Sequence, residues 1–96
     1  MGKRDIYVEK LKTQLDKWNA DIDKLETKIR EYEVSARQQY ETELIELREK
    51  RNEARARLTE LQEASEDAWE DLLHGFERSW DILRESIEHA ISRFKV

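Results

Sequence analysis

The chain has no cysteine and no proline, and only two glycines among its 96 residues. Without cysteine there can be no disulfide, no thiolate nucleophile and no cysteine-ligated zinc, while the redox compartment stays open. Gly2 and Gly75 lie far apart, so no glycine-rich loop exists to cradle a phosphate. Long apolar runs are missing as well. The opening Met1-Gly2-Lys3-Arg4-Asp5 leads into a charged amphipathic segment, so neither a secretory signal nor a membrane span is expected. Met1-Gly2 followed by Ile6 also lacks the serine or threonine of a myristoylation signal, and the expectation is a cytoplasmic protein. Nor is there a surplus of positive charge. The net charge is −5, with eight basic and six acidic groups in residues 1–30, six and nine in 31–63, and four and eight in 66–96. No third is basic enough to read as a phosphate-binding patch, and a nucleic-acid partner is not expected.

What the sequence does have is charge and periodicity. Charged residues make up 43% and the hydrophobic set 38%, the composition of long solvated helices or coiled coils rather than of a sheet protein. The eight aromatics all fall on one stripe. It begins Tyr7, Leu11, Leu15, Trp18, Ile22, Leu25, Ile29, Tyr32, Ala36 and starts again 29 residues later at Tyr40. The second pass reads Leu44, Leu47, Arg51, Ala54, Leu58, Leu61 and Ser65, and the third reads Trp69, Leu73, Phe76, Trp80, Leu83, Ile87, Ala90 and Phe94. Eight helical turns fit 29 residues, so the stripe keeps step with an undistorted α-helix, and the fold class is all-α. The period is that of any straight amphipathic helix and does not by itself show duplication.

The helix-packing seam is therefore Leu11, Leu15, Trp18, Ile22, Leu25, Ile29, Tyr32, Tyr40, Leu44, Leu47, Leu58, Leu61, Trp69, Leu73, Phe76, Trp80, Leu83, Ile87 and Phe94. In the last third Ala68, Leu72, Ile82 and Ile91 widen it toward two or more neighbours. Arg51 interrupts it. A polar residue at such a position can set register, but the long arginine stem can also carry its charge out to water, and that is the reading preferred here.

Two stretches relax the seam: Val34-Ser35-Ala36-Arg37 and Glu63-Ala64-Ser65-Glu66. At the first no residue breaks a helix, and Glu33/Arg37 stand at i,i+4, as do Glu26/Arg30, Glu46/Lys50 and Glu53/Arg57. Continuous helix is expected there. At the second, Ser65 can cap a new helix whose first turn carries Glu66 and Asp67. Lys3 and Arg4 would oppose the dipole of a first turn, which places the start at Asp5, while Arg93 and Lys95 suit the far end. The resulting expectation is a single domain over residues 1–96: a helix from about 5 to 63, a turn at about 64–66, and a helix from about 66 to 95 folded back as an antiparallel hairpin. The alternative is a three-helix bundle with turns near 35 and 65. So unequal a hairpin leaves the seam from Leu11 to Tyr32 uncovered, which predicts a second chain over it, most simply in a homodimer.

Residues capable of chemistry are few. His74 and His89 each follow a glutamate by four positions, Glu70 and Glu85, and Asp71 precedes His74 by three. Ligands in helical bundles project inward, whereas His74 and Glu70 each lie one residue past the stripe and His89 lies on a flank, so no metal site is assigned. The carboxylates form a solvated face, and the serines have no histidine base in register. No catalytic residue, cofactor or metal is expected, and the chain is not read as an enzyme.

The stretches Leu15-Asp16-Lys17-Trp18-Asn19-Ala20-Asp21-Ile22-Asp23-Lys24-Leu25 and Ala68-Trp69-Glu70-Asp71-Leu72, continued by Gly75, Trp80, Leu83, Ala90 and Ser92-Arg93-Phe94, resemble small bacterial coiled-coil proteins of about this length. Such proteins occur in cyanobacteria and proteobacteria, with a stress-response label or largely uncharacterised. The resemblance covers most of the chain and implies a helical cytoplasmic protein, with no catalytic or binding residues to carry over. The functional expectation is a non-catalytic structural or protein–protein interaction module, with the stress-related role the resemblance implies, that self-associates or holds partner helices along the stripe. A peripheral protein that opens its aromatic C-terminal helix onto a membrane surface is the alternative, disfavoured because that helix lacks a lysine and arginine rim.

Overall fold

A computed structural model, which describes residues 2–94, shows three α-helices of nearly equal length. They are α1 (Lys3–Arg30), α2 (Val34–Glu63) and α3 (Glu66–Phe94). The bundle measures 51 × 21 × 17 Å, about the length of one such helix with its connections. Trp18 meets Trp80 and Tyr32 meets Phe94, so α1 and α3 run parallel, with α2 antiparallel to both. The all-α expectation holds, and the three-helix arrangement fits.

The expected continuous helix from Asp5 to Glu63 is replaced by two. The break falls at Glu31–Glu33, immediately before the relaxed stretch in the sequence. Arg37, whose pairing with Glu33 had suggested continuity, caps the break. The Arg37 guanidinium instead donates from Nη2 to the carbonyls of Arg30 and Tyr32, both at 3.1 Å, satisfying acceptors that the end of α1 leaves free. Aromatic packing closes the turn: Tyr32 lies 5.0 Å from Tyr40 and 6.2 Å from Phe94, centroid to centroid. Folding back also covers the seam of α1 from within the chain, which a single long helix cannot do.

The second turn sits where Ser65 indicated. Ser65 Oγ accepts the Ala68 amide at 3.2 Å, the hydrogen bond of an N-cap to the third helical residue, and Glu66 and Asp67 occupy the first turn. The chain start differs from expectation. α1 begins at Lys3 after an extended Gly2, because Arg4 turns away from its own helix to the C-terminal end of α2. Lys95, the expected end of the last helix, lies outside the described residues.

Side chains along the seam form the core. Of the expected seam residues, Leu11, Tyr32, Tyr40, Trp69 and Leu73 are half-buried and the others are buried. Only the first turn departs: Val8 is buried at 4% exposure, while Tyr7 is 37% exposed and touches Trp69 by its edge. Ala54 has no exposed surface. The antiparallel register set by Asn19–Arg51 and by Tyr40–Phe94 places it level with Trp18 and Trp80, whose rings lie 4.8 Å apart. A methyl group in α2 leaves room there for two indoles. Leu72 and Ile91 pack against the core as the widened seam of the last third requires, whereas Ile82 remains 43% exposed.

Candidate functional site

Several arginines do more than fill space, because they join one helix to another. Arg4 of α1 donates from Nη2 to the carbonyls of Leu61 at 3.0 Å and Gln62 at 3.2 Å, and also to that of Ala64. Its guanidinium lies 4.4 Å from the Trp69 ring centroid, so one cation holds the end of α2 and the start of α3 together. Arg37 does the same for the end of α1, although its Nε is buried and meets no acceptor. Farther along, Glu26 takes Arg30 of its own helix and Arg48 of α2, and Arg93 of α3 pairs with Glu43 of α2 while covering the Tyr40 ring. Lys50 reaches Ser86 at 3.1 Å.

Arg51 keeps its place on the stripe and is half-buried. Its Nη1 donates to Asn19 Oδ1 at 3.3 Å, and Nε and Nη2 donate to Asn52 Oδ1 at 3.2 and 3.1 Å. Burial lowers its pKa from the usual arginine value; the Arg55 and Arg48 charges act the same way and Asp23 opposes them. Guanidinium still carries its charge at any ordinary pH. The stem therefore crosses the seam and the head reaches the α1/α2 boundary, which combines snorkelling with a contact that depends on register. Tyr7 has a raised pKa, chiefly through desolvation, with Glu77 and Asp81 adding to it.

Comparison with protein-family models, with curated proteins and with solved structures finds no match. Chemistry must therefore be judged from geometry. His74 and His89 are exposed, and among the described residues no three histidine or acidic side chains converge as metal ligands. His89 lines a trough of about 240 Å³ between α2 and α3 with Glu43, Lys50, Ser86 and Arg93. Lys50 also lines a second trough of about 320 Å³, together with Gly75. Both open onto solvent along the bundle, and in the first Glu43 pairs with Arg93 and Lys50 with Ser86 across the two helices. No described helix is long and apolar enough to cross a membrane. The exposed large apolar residues, Ile6, Tyr7, Val34, Ile45 and Ile82, are spread over three helices and both ends rather than gathered in one patch.

The stripe in the sequence marks the packing seam but not the clamps. Arg4 is expected there only to oppose the dipole of a first turn, and Arg37 to pair with Glu33 in a continuous helix; the carbonyls they hold lie at helix ends, for Arg4 57 residues away in sequence.

Proposed function

We propose that this chain is a non-catalytic interaction module that works by helix–helix contact, with further copies of itself or with partner helices, in the cytoplasm. The supporting observation is how its salient residues are used. Aromatics, seam aliphatics and the cations Arg4, Arg37, Arg48 and Arg93 all hold helix against helix. A stress-related role, implied by the bacterial resemblance, belongs to the same proposal. Lipid binding is a weaker reading, because Phe76, Trp80 and Phe94 face inward and α3 would have to leave the bundle to use them.

Chemical cross-linking in the native host, followed by mass spectrometry, tests the proposal. Exposed lysines such as Lys10, Lys17 and Lys24 should link to another copy or to helical segments of a recurring partner. Links confined to pairs within one bundle would contradict it. Liposome flotation examines the lipid reading, for which the expected result is no association and no blue shift of tryptophan emission.

A further inference from the structure

We infer that the chain exchanges α1 with a second copy of itself, by straightening Glu31–Glu33 into helix so that each α1 packs on α2 and α3 of the partner subunit. The inference rests on the self-association half of the proposed function and supplies its geometry. The two turns differ in how firmly they are specified. The turn at Ala64–Ser65 has a serine cap, an extended Ala64 and the Arg4 clamp. The turn at Glu31–Glu33 shares the extended residue and an arginine clamp, Glu33 and Arg37, but lacks the cap: Glu33 stands at the N-cap of α2 without a side-chain hydrogen bond, and neither glycine nor proline is present.

Three further observations favour straightening at this turn. Ile29, Tyr32, Ala36 and Tyr40 keep helical spacing through it, so a continuous helix leaves the stripe in phase. Arg37 holds the turn at the cost of a buried Nε with no acceptor. In a continuous helix the Arg30 and Tyr32 carbonyls bond within the backbone, and Arg37 is free to meet Glu33 one turn away. Exchange also needs no new surface. Trp18 on Trp80, Glu26 on Arg48 and Tyr32 on Tyr40 all re-form between chains, and a short hinge joining two packed elements is a usual setting for such a swap.

The test uses the full chain, refolded at concentrations from micromolar to millimolar and sized by light scattering. A shift from 11.6 kDa toward twice that mass is expected, with a long helix of about 90 Å appearing in solution scattering. Because the chain has no cysteine, Glu26→Cys and Arg48→Cys chains can be mixed, unfolded and refolded together; exchange is expected to enrich the mixed disulfide over the two same-site disulfides, where random collision gives the statistical ratio. Glu33 has φ −63°, which proline adopts, so Glu33→Pro keeps the turn and forbids the continuous helix. This variant should remain helical by circular dichroism, stay at the monomer mass and give no enrichment of the mixed disulfide. A second variant, with three glycines inserted after Tyr32, should behave alike and guards against misfolding of the first. A monomer at every concentration overturns the inference. A dimer that survives both variants and shows no enrichment of the mixed disulfide overturns exchange while leaving self-association, and hence the proposed function, standing.

Discussion

Gly75 lies in the interior of α3, where a glycine weakens the helix by about 1 kcal/mol relative to alanine. An added Cβ would meet nothing closer than Arg57 Nη1 at 3.9 Å, an ordinary contact with a flexible side chain. Gly75→Ala should therefore stabilise the bundle by about 1 kcal/mol, raising the thermal midpoint by roughly 4–8 °C. Arg51 gives the sharper case. It takes a seam position, and its partners Asn19 and Asn52 retain access to water. Leucine there would bury apolar surface and release a half-desolvated charge, so Arg51→Leu should raise stability by about 1 kcal/mol in denaturant titration. A loss of similar size would show that the contact with Asn19 is needed to set the α1/α2 register.

At the scale of the elements, helix ends decide the architecture. Arg4 holds three carbonyls and a tryptophan face, so Arg4→Ala should cost about 1–2 kcal/mol, more than the ~1 kcal/mol expected for Ser65→Ala at the neighbouring cap. Urea unfolding of the two variants side by side checks the order. The contrast also explains what could be read from the chain beforehand. Ser65 with Glu66 and Asp67 is a local signal, because a cap and its helix are neighbours in sequence. The break at Glu31–Glu33 has no such signal: local propensity favours helix, and the opposing terms are tertiary, namely a seam covered by folding back, Tyr32 against Phe94, and Arg37 on carbonyls behind it. Arg4 was misjudged for the same reason. Its cost to the dipole of α1 is local, whereas its benefit lies at the end of α2, 57 residues away in sequence.

For the molecule as a whole, the aromatic stripe is the inner surface of one bundle rather than an outward docking face. The periodicity could specify that surface to within a residue or two, as the exchange of Tyr7 for Val8 in the first turn shows. It could not specify whether the covering helices come from the same chain, since an unbroken helix and a folded one present the same stripe. The three-residue turn answers that question in the folded chain and, by the inference above, leaves a second copy able to supply α1. Solution scattering at low protein concentration, where exchange is least favoured, is the most direct test of the three-helix fold. The account predicts a compact particle with a radius of gyration near the 15.4 Å of the Cα trace and a longest dimension set by one helix. A dilute monomer containing a rod of about 90 Å, the length of an unbroken helix from Lys3 to Glu63, would contradict it.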